Sequence, residues 1–156
     1  MAIRVRAAQL SDLDELAGMR ILLWPESSSE EHREELDIVL SRRAATRLPE
    51  VILVSQDDDG ALTGFLEVGL RSHADGCDPS LPVGYVEGWF VRAGSRKRGI
   101  GAELMQAAEN WAREQGCREI ASDALIENVV SLNAHEALGF KEVDRCVHYR
   151  KALVQD

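Results

Sequence analysis

Apolar residues recur along the chain with two periods, about two and about 3.6 residues, and the points where one period gives way to the other mark its elements. Ile3, Arg4, Val5 and Arg6 alternate as in a half-buried strand, after which Leu13, Leu16, Ala17, Arg20 and Leu23 share a helical face. Ser11 with Asp14 reads as a capping box for that helix, and Trp24-Pro25 ends it, because the residue before proline avoids the helical region. A second capping signature, Ser28-x-x-Glu31, opens a helix with Leu36, Val39 and Leu40 on one side. Residues 51–54 form a β-branched strand, Asp57-Asp58-Asp59-Gly60 a turn, and residues 62–70 the antiparallel partner.

Residues 72–82, with Asp75-Gly76, Asp78-Pro79 and Pro82, are a loop longer than a tight turn requires. A central strand follows at 85–91. Ile100, Leu104, Ala108 and Trp111 then recur at helical spacing until Gly116. Residues 118–123 read as a strand parallel to the central one, because a helix connects the two. Asn128 caps a helix carrying Val130, Ala134, Ala137 and Leu138, Gly139 ends it, and alternation from Phe140 through Val143 and Val147 to Tyr149 predicts a last strand. The class is α/β, as a single domain over 1–156.

Between the central strand and its helix lies Arg96-Lys97-Arg98-Gly99-Ile100-Gly101. Two glycines let the backbone turn and approach a ligand, and the helix begins with unpaired amides and a partial positive charge. With three cations beside it, such a turn suits a diphosphate. It is neither GxxxxGKS, GxxxxGKT nor GxGxxG, and a solvated basic turn would look the same locally.

Composition narrows the classes. A net charge of −9 argues against binding a nucleic-acid backbone and favours a cationic partner or simple solubility. The acidic residues gather at Glu26, Glu30, Glu31, Glu34, Glu35 and Asp37, apart from the basic turn. Cys77, Cys117 and Cys146 are an odd number without a CxxC, and His32, His73, His135 and His148 are scattered, so neither a disulfide framework nor a metal site is expected. No apolar run has the length of a signal peptide or a membrane span, which predicts a cytoplasmic protein with no membrane partner.

The basic turn, lying after a strand and before a helix, matches Arg or Gln, two residues, Gly, one residue, then Gly or Ala, and so resembles the pyrophosphate loop of the GCN5-related N-acetyltransferases (GNAT). Asn128-x-x-Ser131 followed by Ala137-Leu138-Gly139-Phe140 is similar to a second segment of that family, with His135 where many members have a tyrosine. Leu23-Trp24-Pro25, Gly76-Cys77-Asp78, residues 86–91, residues 116–123 and His148-Tyr149-Arg150-Lys151 resemble the aminoglycoside 6'-N-acetyltransferases within it. The resemblance implies an acyl-CoA N-acyltransferase fold: a mixed, mostly antiparallel sheet with a central splayed parallel pair, flanked by helices. It implies acetyl-CoA as cosubstrate, an aminoglycoside as substrate, and antibiotic resistance as the outcome.

It also implies site residues. Trp89, Phe90 and Val91 would meet the pantetheine arm, Arg96, Lys97, Arg98, Gly99, Ile100, Gly101 and Ala102 the diphosphate, and Asn128 and His135 the arm near the sulfur. Trp24, Ser27, His73, Glu87, Asp123 and Asp144 would line the pocket for a polycation, which calls for carboxylates and an aromatic wall. Glu87, two residues before Trp89, is expected on the same strand face, and Asp123 at the end of the neighbouring strand, so that both point at the acetyl group. Asp123 is the expected base, with Glu87 positioning the ammonium or relaying its proton; His135 is a weaker candidate for the acid on the thiol side. Acetylation of another amine, such as a polyamine, peptide or lysine, or regulatory binding of coenzyme A without catalysis, are the alternatives. A last strand at the sheet edge would suit a homodimer, strand-swapped or side by side.

Overall fold

The computed structural model describes residues 2–41 and 48–154. The chain divides into two compact units, residues 1–123 and 124–156. The first holds β1 (Arg4–Ala7), α1 (Leu13–Leu23), α2 (Ser29–Leu40), β2 (Glu50–Gln56), β3 (Leu62–Arg71), β4 (Val83–Val91), α3 (Ile100–Glu114) and β5 (Ile120–Ser122). The second holds α4 (Val129–Ala137).

The five strands form one sheet in sequence order, antiparallel from β1 to β4 and parallel between β4 and β5. Strand alternation sends Phe65 and Phe90 to one face. There they pack with Leu16, Ala17 and Met19 of α1, Leu36 of α2, and Ile52 and Val54 of β2. Gly64, Gly84 and Trp89 turn to the other face, where α3 lies: a Cβ on Gly64 would stand 3.3 Å from Leu104 Cδ1, and one on Gly84 2.8 Å from Ala112 Cβ. The result is a helix pair, a sheet and a helix in three layers, each face closed by an apolar stripe.

Local signals decide where the helices begin. The Ser28 box forms as read: Glu31 N donates to Ser28 Oγ at 3.1 Å, and Ser28 N to Glu31 Oε2 at 2.9 Å. Ser11 does not cap α1. It lies in a 3-10 turn, Leu10–Asp12, and the carboxylate that accepts a backbone amide is Asp12, from Gln9 N at 2.8 Å. Arg6 holds Asp12 with two bonds of 2.7 and 2.9 Å, which explains why a buried carboxylate there displaces the serine signal.

In the second unit Asn128 caps α4, its Oδ1 accepting from Ser131 N at 3.1 Å. The strand expected over 140–149 is not formed: residues 140–150 have no regular secondary structure, and Val143, Val147 and Tyr149 are exposed. A strand exists only through a neighbour that completes its ladder, and the five-stranded sheet closes its order at β5 without this segment. Alternation records the faces of the segment but not its partner.

Candidate active site

Gly99 precedes α3 with φ of +81°, a left-handed conformation that glycine adopts without strain. The helical ladder begins with Glu103 N donating to Gly99 O, so the amides of Ile100, Gly101 and Ala102 come before it. Lys97 also has a positive φ, 61°, as the backbone folds tightly around the end of the helix. Arg96, Lys97 and Arg98 are exposed. Arg96 Nε donates to Val91 O at 3.0 Å, fastening the loop to the end of β4, while Arg98 lines a crevice with Gln56, Asp57 and Asp58 of the hairpin turn. Gly101 is needed for close packing as well: an added Cβ would sit 3.3 Å from the Trp89 ring, whose Nε1 donates to Gly101 O at 3.1 Å.

The central strand does two things at once. Its ladder with β5 covers Gly84 with Ile120, Tyr85 with Ala121 and Val86 with Ser122. The parallel ladder with β5 thus stops at Val86, while β4 runs on along β3 to Val91.

A register shift separates the pairs Glu67 with Gly88 and Val68 with Val86, leaving Glu87 as the extra residue of a β-bulge. This corrects the expectation that Glu87 and Trp89 share a face. Trp89 packs on α3, whereas Gly88 faces α1, where an added Cβ would stand only 2.5 Å from Trp24 Cη2, and Glu87 opens into a cavity that Trp24 also lines. The bulge breaks the two-residue period between them.

That cavity measures about 510 Å³ and is bordered by Trp24, Ser27, His32 and Arg20 and by the carboxylates of Glu26, Glu35, Glu50, Glu67 and Glu87. Trp24 is its half-buried wall and also packs against the core behind it. Arg20, 6 % exposed, lies beneath the indole at 5.2 Å and grips Glu67 through Nε and Nη2 at 2.6 and 2.9 Å and Glu35 through Nη1 at 2.9 Å. Burial works against its charge, but the bonds to Glu67 and Glu35 prevail and hold its pKa above the ordinary value. His32 stacks on Trp24 and donates Nε2–H to the Trp24 carbonyl at 3.1 Å. Of the acidic block read in the sequence, Glu26 and Glu35 reach the cavity and Glu31 is spent on the α2 cap.

Glu87 and Asp123 are both held by residues that the sequence pattern does not single out. Arg71 donates from Nε and Nη2 to Glu87 Oε1 at 3.0 and 2.8 Å, and from Nη2 to Oε2 at 2.9 Å. Its guanidinium lies 3.5 Å from the centre of the Tyr85 ring, and Tyr85 donates its hydroxyl to Asp123 Oδ2 at 2.7 Å. Burial first, and the Asp123 carboxylate second, raise the Tyr85 pKa far above its ordinary value, so the phenol remains a donor. The one signal in the sequence is that Arg71, Tyr85 and Glu87 end or occupy paired strands.

The remaining candidates are more dispersed. His73 is exposed on the 72–82 loop, 3.8 Å from Asp75, and does not line the cavity. Phe90 is core, 9 % exposed and 5.9 Å from Phe65 between ring centres. In the second unit His135 Nδ1 is bonded to Ser131 O at 2.7 Å with its ring edge-on to Phe140, and Asp144 accepts from the Arg145 amide at 2.7 Å. Among the described residues no group of His, Cys, Asp and Glu could hold a metal ion, and no helix is long and apolar enough to cross a membrane.

The sequence model of the Acetyltransferase (GNAT) family matches residues 16–140. An aminoglycoside N(6')-acetyltransferase type 1 of Klebsiella aerogenes is 39% identical over 149 residues, 96% of each chain. One of Serratia marcescens is 39% identical over 143 residues, 91% of this chain and 94% of its own. Among solved structures, AAC(6')-Iy in complex with the bisubstrate analogue CoA-S-monomethyl-acetylneamine superposes with a TM-score of 0.86 at 33% identity, covering 97% of this chain and 99% of that one. An aminoglycoside antibiotic 6'-N-acetyltransferase from Acinetobacter baumannii superposes with a TM-score of 0.83 at 31% identity, covering 98% and 100%.

Proposed function

The chain belongs to the acetyltransferase (GNAT) family, and from that premise we propose that it transfers the acetyl group of acetyl-CoA to the 6'-amine of aminoglycosides. The observation that carries this reading is the acidic cavity walled by Trp24, where Glu26, Glu35 and Glu50 can meet a ligand with several ammonium groups while Glu67 is spent on Arg20 and Glu87 on Arg71. The 6' position comes from the relatives, which match over nearly the whole chain.

The residues fit the acyl carrier. The left-handed Gly99, the closely packed Gly101 and the amides at the start of α3 suit a diphosphate, with Arg96, Lys97 and Arg98 as cations around it and Ile100 and Ala102 contributing backbone. By the motif resemblance the stretch of β4 at Trp89, Phe90 and Val91, beyond its ladder with β5, runs beside the extended arm, and an amide near Phe90 would steady the carbonyl oxygen, a contribution of about 3 kcal/mol where such donors are removed. When bound, acetyl-CoA supplies a thioester carbon that an amine can attack directly.

The chain's own groups prepare that amine. An amine with a pKa of roughly 10 is protonated at neutral pH, so a proton must leave before attack. Trp24 and Ser27 receive the sugar, Glu87 positions the ammonium, and Asp123 takes the proton directly or through water. His73 and Asp144 are assigned to the substrate, and Asn128 and His135 to the cofactor, on the motif resemblance. Acetylation removes one positive charge from the antibiotic, hence resistance.

We assign residues 1–156 to one acetyltransferase domain, working in the cytoplasm, where acetyl-CoA is made. We also assign it to a homodimer, a reading supported by the exposed Val143, Val147, Tyr149, Leu153 and Val154. Thiol release should be measured with a kanamycin bearing a 6'-amine, with its 6'-hydroxyl counterpart and with spermidine. Turnover restricted to the 6'-amine supports the proposal; equal turnover of spermidine makes the protein a polyamine acetyltransferase, and coenzyme A binding without turnover makes it a regulatory module.

A further inference from the structure

Glu87 is the carboxylate that the proposed reaction most needs to be open to an ammonium group, yet Arg71 occupies both of its oxygens. The pair is not a buried strut. Arg71 is the last residue of β3, and the side chains of Arg71 and Glu87 are 45% and 46% exposed. The guanidinium also lies over Tyr85, 3.5 Å from the ring centre, so one cation satisfies a carboxylate and an aromatic face together. Those two groups are what a substrate ammonium would seek. Tyr85 in turn is anchored from its far end by the hydroxyl bond to Asp123, so the platform stays in place whether or not a cation rests on it.

We propose that Arg71 is a resident cation in an ammonium subsite formed by Glu87 and the face of Tyr85, and that substrate binds there by displacing it. This rests on the acetyltransferase reading above and adds to it a determinant of substrate choice. A ligand must bring enough positive charge elsewhere, to be held by Glu26, Glu35 and Glu50 around Trp24, before it can take Glu87 from an internal competitor. A monoamine that reaches only this subsite meets an arginine already in place. Arg71 therefore selects for polycations by competition instead of by contact. Its own charge is released to solvent when displaced, which its exposure permits.

Calorimetry with kanamycin, on the intact protein without acetyl-CoA, tests this independently of turnover. Arg71→Gln vacates the subsite and should bind kanamycin about fivefold more tightly than the parent, the range that losing one exposed ion pair allows. Arg71→Lys, which keeps a cation without the two-pronged grip, should fall between them. Guanidinium chloride at tens of millimolar should weaken kanamycin binding to Arg71→Gln toward the parent value at matched ionic strength, because the free ion refills the vacancy. Equal or weaker binding by a folded Arg71→Gln would overturn the proposal and make Arg71 a brace for Glu87. Absence of acetyl transfer in parent and variant alike, with the binding difference intact, would instead sink the acetyltransferase reading and leave the subsite standing.

Discussion

Asp12 shows how much a single carboxylate can contribute at a helix start. The hydrogen bonds from Arg6, and then the Gln9 amide, hold its pKa below the ordinary value against the opposing effect of burial. A carboxyl depressed on folding contributes stability that is present above its unfolded pKa, about 3.9, and is lost as pH falls through the folded value. Asp12→Asn should therefore cost about 1–2 kcal/mol at neutral pH, and the gap from the parent should close on acidification when melting is followed across pH. The candidate base calls for a kinetic test. Asp123→Asn should lower kcat by about 10²–10⁴ while leaving the KM for acetyl-CoA unchanged. Tyr85→Phe, which keeps the ring under Arg71 but removes the donor to Asp123, should lower kcat less and in the same direction. An Asp123→Asn enzyme of normal kcat would move the proton transfer to Glu87.

At the scale of elements, the bulge in β4 separates two duties along one strand. Gly88 meets Trp24 on the face toward α1, and Trp89 meets Gly101 on the face toward α3. Two substitutions should then divide the kinetics. Gly88→Ala would put a methyl within 2.5–2.7 Å of the indole, displacing Trp24 and raising the KM for aminoglycoside severalfold. Gly101→Val would press on Trp89 and the start of α3, raising the KM for acetyl-CoA by about tenfold instead. If both variants change the same constant, the faces are not separate. The elements also differ in how legible they are in the chain. The α2 cap, the glycine loop, the hairpin and the helix ends follow from local chemistry, and the structure has them. The bulge is hidden because it depends on register with β3, the Asp12 cap because it depends on Arg6 at the end of the preceding strand, and the fate of 140–149 because alternation names no partner. In the site, Trp24 and Glu87 are readable by resemblance, whereas Glu50, Glu67, Arg20 and Arg71 meet only through the fold.

For the whole molecule, a net charge of −9 coexists with an exposed basic loop at 96–98, so the two substrates of the proposed reaction meet fields of opposite sign. Raising salt from about 0.05 to 0.5 M shortens the screening length from roughly 14 Å to 4 Å. The KM values for aminoglycoside and for acetyl-CoA should both rise, the former more steeply, because it is held by several charges. Initial rates over a salt series, at constant pH, check this. A salt-independent KM for the antibiotic would mean that its ammonium groups are not what the cavity reads.

Trp24 is enclosed from three directions, by Arg20 beneath, His32 alongside and the bare backbone of Gly88 in front. No one of these can change size without unseating the indole, so the wall leaves selection little freedom. A lineage pressed by bulkier drugs would drift instead at Glu26 and Ser27, which border the same cavity beside the indole. Drug spectrum and fold would thus evolve at different addresses in the same gene.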